Sequence, residues 1–132
     1  MVSYRILITG SREWDNFPLM QRYLYAERLK AGDFPLVVVH GGARGADSMA
    51  GGMARASNGV CEEVHEAEWR PLGIYNAYAG HARNQKMVDL RADVCLAFFK
   101  AGAANRGTQD CVRRAKLANI PVIEIWSDEE DK

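Results

Sequence analysis

Residues 37–50 read VVVHGGARGADSMA and change from a β-branched apolar run, through a glycine-rich turn, to a stretch of small residues. This order predicts a strand, a loop over residues 41–47 and the N-terminus of a helix. A glycine loop that opens a helix leaves backbone N–H groups unpaired at the positive end of the helix dipole, where an anion such as phosphate binds. Arg44 adds a full positive charge beside them. The alternative is an ordinary turn whose glycines only permit a positive φ.

The same succession of strand, loop and helix continues along the chain. The predicted strands cover residues 4–9, 36–40, 60–67, 93–99 and 122–126, and the predicted helices begin at Asp15 or Asn16, at residues 45–47, at Ile74 and at Thr108 or Asp110. Helices between successive strands imply parallel strands joined by right-handed crossovers. The expected fold is a single doubly wound Rossmann-like α/β domain with a five-stranded parallel sheet, strand order 3-2-1-4-5 and helices on both faces.

Two of the predicted elements are weak. The third strand has mixed polar and apolar residues on both sides, which is typical of the edge of a sheet. The second helix contains Gly51 and Gly52, each of which weakens a helix by about 1 kcal/mol relative to alanine. We expect a close approach of this helix to the sheet to explain why glycine stands there.

The composition is that of one ordinary globular domain, expected over residues 1–127 and followed by a frayed acidic tail over residues 128–132. Basic and acidic residues balance at 17 each, so no global positive field attracts nucleic acid or membranes, and phosphate binding must be local. The three cysteines lack metal-binding spacing, which predicts reduced structural thiols and a cytoplasmic protein. The N-terminal apolar run is too short for a signal peptide or a membrane span.

Three of the predicted loops carry an arginine beside small residues at one edge of the sheet. In the expected strand order the chain reverses direction between the first and fourth strands, and ligands of such sheets bind beside this switch point. Arg12, Arg44 and Arg106 are therefore expected around one crevice, where guanidinium groups grip phosphate; the alternative for each is solvent or an acidic neighbour such as Glu13 or Asp47. The candidate ligand-binding residues of these loops are Gly10, Ser11, Arg12, Gly41, Gly42, Ala43, Arg44, Gly45, Arg106, Gly107 and Thr108. Thr108 could cap its helix, donate to the phosphate, or do both.

Several other polar or aromatic residues have both a ligand-binding and a structural interpretation. Asp47 could contact a ribose hydroxyl, although a helix-capping carboxylate is the favoured interpretation. Trp69 could stack on a base or lie half-buried at the sheet edge. Arg83 and Asn84 fall in the third helix, where a solvated polar face is the default. His81 has no nucleophile beside it in the sequence and is not expected to act as a catalytic base.

Together these motifs resemble the SLOG superfamily, named for the SMF/DprA and LOG proteins, and within it the small YspA/cpYpsA-related branch of bacteria and phages. The segments that carry the resemblance are TGSR at 9–12, HGGARGAD at 40–47, Gly80 with Arg83, Asn84 and residues 87–88, and RGTQD at 106–110. The similarity spans nearly the whole chain. It implies a Rossmann-like domain that binds nucleotides or nucleotide-derived small molecules at the carboxyl ends of the strands.

Two relatives within this superfamily imply different activities. The LOG-type phosphoribohydrolases cleave the bond between base and ribose 5′-monophosphate, and their His-Glu-Arg-Lys segment is similar to residues 81–84. By that resemblance Arg83 is the catalytic arginine. Cys111 stands where those enzymes have a glutamate, and Asp110, one residue earlier, is the candidate catalytic carboxylate although it lies about 100° away around the helix.

The second relative, DprA, binds single-stranded DNA and has a glycine segment similar to residues 42–47. This chain has neither excess positive charge nor an aromatic stacking platform evident in its sequence, both of which such binding requires. The expected function is therefore binding of a nucleotide or nucleotide-derived molecule, with phosphoribohydrolase activity and single-strand binding as alternatives. We expect no resident metal or cofactor, no membrane partner, no long nucleic acid, and a homodimer as a possible assembly.

Overall fold

A parallel β-sheet forms the centre of the computed structural model, which describes residues 2–129. Within these residues the strands are β1 (Tyr4–Gly10), β2 (Leu36–His40), β3 (Val60–Val64), β4 (Val94–Phe99) and β5 (Val122–Trp126), and the α-helices are α1 (Phe17–Ala31), α2 (Ala46–Arg55), α3 (Ala79–Asp89) and α4 (Arg106–Leu117). The strands are all parallel and lie in the order β3-β2-β1-β4-β5. The predicted Rossmann-like fold and strand order are therefore confirmed.

Helices cover both faces of the sheet, and alternate residues of β1 point to opposite faces. Ile6 and Ile8 pack in an apolar cluster that includes Met20 of α1 and Ala50 of α2. Leu7 packs in a second cluster formed with α3 and α4, whose buried members are Val39, Met87, Val88, Cys95, Cys111, Ala115 and Ile120. The near-continuous apolar run of β1 thus reflects burial on both sides.

Close packing at Gly10 brings the second helix against the end of the central strand. Gly10 pairs with Phe98 of β4, and a Cβ atom at this glycine would collide with the Cβ of Ala46, the first residue of α2. Only glycine therefore allows this approach. The β1–α1 and β2–α2 turns consequently lie together at the carboxyl edge of the sheet.

The two glycines of α2 have different surroundings. A Cβ atom at Gly51 would collide with Glu62 Oε2 and lie 2.8 Å from His40 Nε2, so the predicted close approach to the sheet is confirmed there. At Gly52 the nearest atom, Arg55 Nη2, is 3.9 Å away. The expectation of a close approach is therefore wrong for Gly52.

The third helix begins later than its sequence predicts. Its apolar spacing predicts a start at Ile74, but residues 71–73 form a short 3₁₀ turn and the α-helix begins at Ala79. Leu72 has φ 57° and Gly73 has φ 81°, and the N–H of Tyr78 donates to the side chain of Asn76. These local bonds compete with helix formation.

The remaining expectations concern the ends of elements. β3 is an edge strand, as predicted, but ends at Val64. Of the predicted acidic tail, residues 130–132 lie outside the described residues, whereas Glu129 accepts hydrogen bonds from Arg22 and from the hydroxyl of Tyr23. The expectation of fraying is therefore wrong at Glu129. In residues 2–129, no helix combines the length and apolar character needed to span a membrane.

Candidate functional site

A cavity of about 380 Å³ opens at the carboxyl edge of the sheet, where β1 and β4 meet at the switch point. Its walls come from the turns after β1 and β4, the first turn of α2 and the inward face of α3. The residues that line it are Ile8, Thr9, Gly10, Ser11, Arg12, Glu13, Ala43, Asp47, Trp69, Ala77, Gly80, His81, Arg83, Asn84, Met87, Ala103, Ala104, Asn105, Arg106, Gly107 and Thr108. The predicted convergence of the first and fourth loops is thus observed.

The N-terminus of α4 forms one wall of this cavity with its backbone donors free. Asn105 precedes the helix in the left-handed conformation, φ 55°, and its side chain bonds to the backbone of Lys100 and Ala103. This fixes the loop, but no group in residues 2–129 accepts from the backbone N–H of Arg106, Gly107 or Thr108. The helix dipole adds positive potential at the same place.

Thr108 is the third residue of α4, so the expectation that Thr108 or Asp110 opens this helix is wrong. The preceding Asn105 adopts the left-handed conformation that asparagine tolerates better than most residues. Thr108 is 3% exposed, and its side chain lies in the cavity wall. A role for its hydroxyl in ligand binding stays a prediction.

The glycine loop after β2 does not offer its first N–H groups to the cavity. The N–H groups of Gly41 and Ala43 donate to Asp47 Oδ2 at 3.1 and 3.3 Å, and the N–H of Gly42 donates to Nδ1 of His40 at 2.9 Å. The expectation that these groups cradle a phosphate is therefore not met, because the chain supplies its own acceptors. Gly45, φ 82°, packs against the backbone of Ser11 and Arg12 instead.

The three arginines do not share one cavity. Arg12 and Arg106 line it and are exposed at its edge. Arg44 is 73% exposed and donates to Glu13 Oε1 at 3.1 Å. It lies in an adjoining depression of about 380 Å³ that Arg12, Trp69 and Arg83 also line. The placement of Arg44 in the common crevice is therefore corrected: the acidic-neighbour alternative holds for this residue.

Arg83 and Asn84 form part of a hydrogen-bonded chain and not a solvated face. Arg83 Nη1 donates to the carbonyl of Gly41 at 2.8 Å, and its Nε donates to Asn84 Oδ1 at 3.0 Å. Asn84, only 4% exposed, donates through Nδ2 to Asp110 Oδ2 at 3.1 Å and to the carbonyl of Gly107 at 3.3 Å. The expectation of a solvated polar face at these helix positions is therefore wrong. Arg83 and Asn84 together connect the loop after β2 with α4.

Asp110 does not line the cavity, which contradicts its expected catalytic position. Its carboxylate binds Arg113 at 2.8 Å and Arg114 Nε at 2.9 Å, as well as Asn84. Partial burial opposes ionisation, but the hydrogen bonds from Arg114 and Asn84 prevail and hold the pKa of Asp110 below its usual value. The helical twist directs Cys111, not Asp110, into the core. Asp110 is therefore a positioning residue for Asn84.

Asp47 lies in the first turn of α2 but does not act as its N-cap, which corrects the favoured interpretation. Gly45 occupies the N-cap position, and the Asp47 carboxylate instead holds the N–H groups of the preceding loop. Asp47 is 6% exposed and lines the cavity. Burial raises the pKa of its carboxyl above the usual value, and the backbone hydrogen bonds from Ala43 and Gly41 and the charge of Arg83 partly offset this rise.

Aromatic side chains gather at the cavity mouth. Trp69, 36% exposed, lines both the cavity and the adjoining depression and stacks on Tyr75, with ring centroids 6.2 Å apart. Tyr78 contacts the ring of His81, which also lines the cavity. Tyr75 and Tyr78 fall in the segment that the sequence predicts to be helical, so this aromatic group was not predicted. Stacking of a base on Trp69 stays a prediction.

The fold and the cavity at its switch point define a Rossmann-like α/β protein with a site of small-molecule size. The chain belongs to the YspA, cpYpsA-related SLOG family, whose model matches residues 4–71. It is also similar to Gene 61 protein of Mycobacterium phage D29, with 45% identity over 125 residues that cover 92% of this chain and 95% of the phage protein. The resemblance identified from the sequence is therefore confirmed, and family membership fits binding of a nucleotide-related molecule.

Proposed function

We propose that the protein binds a nucleotide or nucleotide-derived small molecule in this cavity, with a phosphate against the N-terminus of α4. The observation that carries the proposal is the row of free N–H groups of residues 106–108, flanked by the guanidinium groups of Arg12 and Arg106. Such donors at a helix N-terminus bind phosphate oxygens, and arginine adds charge-assisted hydrogen bonds. The phosphate therefore belongs to the fourth loop and not to the glycine loop after β2.

The charges of the cavity favour an anionic ligand. Its lining carries three arginines, Arg12, Arg83 and Arg106, against two carboxylates, Glu13 and Asp47. The chain as a whole has balanced charges, so the positive field is local. This suits a small ligand held in one cavity better than a long strand that needs a continuous basic groove. The Trp69 ring supplies an apolar surface for the base of such a ligand.

The proposal is restricted to binding. Arg83 lines the cavity, as phosphoribohydrolase chemistry requires of it, but Asp110 is engaged by Arg113 and Arg114 outside the lining. A carboxylate in that position cannot assist at a glycosidic bond within the cavity. We therefore do not assign hydrolysis to the site.

Isothermal titration calorimetry with AMP, GMP, CMP and UMP and their diphosphates tests the proposal. Arg106→Ala is expected to weaken the best-bound nucleotide about ten-fold or more, because a hydrogen bond from a charged group contributes about 1.5–3 kcal/mol. Arg44→Ala is the matched control and is expected to change the affinity less than two-fold, about 0.4 kcal/mol, because Arg44 does not line the cavity and its guanidinium group pairs with the exposed Glu13 at the cavity edge. Absence of saturable binding, or equal losses in the two variants, would contradict the assignment.

A further inference from the structure

One oxygen of the buried Asp47 carboxylate is unused by the protein. Both backbone donors to this residue, the N–H groups of Gly41 and Ala43, bind Oδ2. No group in residues 2–129 donates to Oδ1. No fully enclosed side-chain nitrogen or oxygen of the described residues lacks a partner, so Oδ1 contacts the open space of the cavity that Asp47 lines.

The unpaired oxygen Oδ1 restricts which chemical groups of a ligand can contact it. Burial raises the pKa of Asp47, whereas the two N–H groups on Oδ2 and the positive charge of Arg83 favour the ionised carboxylate. In its ionised form this carboxylate only accepts hydrogen bonds. A phosphate oxygen would be repelled by Oδ1, whereas a hydroxyl group would donate to it. The N–H groups that would bind the phosphate are on α4, whereas the carboxylate that would bind a hydroxyl group is on α2. The two binding positions therefore lie on different walls of one cavity.

We infer that Asp47 Oδ1 accepts a hydrogen bond from a sugar hydroxyl and that the cavity therefore selects ribonucleotides over their deoxy analogues. This inference rests on the proposed nucleotide function. In a nucleotide the sugar separates the phosphate from the base, so a phosphate at α4 and a base at Trp69 leave the sugar hydroxyls for Asp47. A hydrogen bond to a charged acceptor is worth about ten-fold or more in affinity.

The structural role of Asp47 can be separated from this recognition. Holding the loop needs only one acceptor oxygen, which an asparagine retains. In Asp47→Asn the amide oxygen can take the place of Oδ2, and the amide nitrogen then takes the place of Oδ1. The variant keeps the bonds to Gly41 and Ala43 but removes the anionic acceptor from the cavity.

The experiment is calorimetric titration of AMP, GMP, CMP and UMP, each beside its 2′-deoxy and 3′-deoxy analogue. The wild-type protein is expected to bind a ribonucleotide about ten-fold or more tightly than at least one of its deoxy analogues, and Asp47→Asn is expected to reduce this ratio to about three-fold or less. Asp89→Asn is the control for loss of one negative charge, because Asp89 is exposed at the end of α3. It is expected to leave the ratio unchanged.

The outcomes distinguish this inference from the proposed function. Equal wild-type affinity for ribonucleotides and both deoxy series would refute recognition by Asp47 while nucleotide binding stands. A ratio that persists in a folded Asp47→Asn variant would also refute it, and would point to another acceptor. If none of the compounds binds saturably, the proposed function fails and this inference fails with it.

Discussion

Two adjacent glycines of α2 are expected to respond to alanine in opposite ways. Alanine in a helix interior is favoured over glycine by about 1 kcal/mol. At Gly52 the new methyl group meets open space, with its nearest neighbour, Arg55 Nη2, at 3.9 Å. Gly52→Ala is therefore expected to raise the free energy of unfolding by about 0.5–1 kcal/mol.

At Gly51 the same methyl group would displace the partly buried hydrogen bond between His40 and Glu62. His40 Nδ1 accepts from the N–H of Gly42, so the hydrogen is assigned to Nε2, which donates to Glu62 Oε2 at 2.6 Å. Glu62 can turn outward, but His40 is 3% exposed and would keep an unpaired N–H, which costs about 1–3 kcal/mol. Crowding of the ring adds about 1 kcal/mol, which offsets the helix gain. Gly51→Ala is therefore expected to lower the free energy of unfolding by about 1–3 kcal/mol.

Urea denaturation of the two variants, monitored by circular dichroism, measures both effects on one helix. The free energies of unfolding are expected to differ between the variants by about 1.5–4 kcal/mol. The dependence of the unfolding free energy on urea concentration should be the same in both variants and in the wild type, which would show that all three expose the same amount of surface on unfolding. Equal stabilisation by both substitutions would refute the assignment of Gly51 to the contact between α2 and the His40–Glu62 pair.

Two further predictions concern stability. The hydrogen bond from Arg5 lowers the pKa of Glu63 to about 2. Partial burial opposes this shift, and the hydrogen bond from His65 adds to it. The Glu63 carboxylate therefore stabilises the folded state at pH values above its usual pKa, and this contribution is lost as the pH falls towards 2. Glu63→Gln is expected to cost about 1–2 kcal/mol at pH 7, after allowance for solvent screening, and much less at pH 2, where the pH has reached the pKa of Glu63 in the folded state. Urea denaturation at both pH values measures this, and an equal cost at both would contradict it. Asn84→Ala breaks the chain between Arg83 and Asp110 and is expected to lower the free energy of unfolding by about 1–3 kcal/mol. An unchanged midpoint in urea would show that Asn84 does not connect α3 with α4.

The fold could be predicted from the sequence because β1, β2 and β4 are apolar runs and a helix lies between each strand and the next. Residues 6–9 and 94–99 are buried, and near-continuous apolar runs are typical of strands that are covered on both faces. The start of α3 could not be predicted. Its apolar residues at 74, 75 and 78 have helical spacing, but Leu72 and Gly73 adopt positive φ and the residues lie exposed.

The site could be predicted only as far as which loops meet. Gly10 ends β1, Arg12 follows it and Arg106 follows β4, and these two strands lie side by side, so topology alone brings the three residues to one cavity. The hydrogen-bond partners of individual groups could not be predicted. Asp47 accepts hydrogen bonds from the N–H groups of the loop that precedes it, and Glu13 accepts one from Arg44. Such choices depend on local distances that sequence spacing does not contain.

We expect the free N–H groups at the N-terminus of α4, and not those of the glycine loop after β2, to bind the phosphate. Titration of the ¹⁵N-labelled protein with AMP, GMP, CMP and UMP, followed by amide chemical shifts, measures this directly. Saturable shifts are expected, with the largest at Arg106, Gly107 and Thr108 and smaller ones at Gly41 and Ala43, whose N–H groups already bind Asp47. Largest shifts at Gly41 and Ala43, or no saturable shift with any of the four nucleotides, would contradict it.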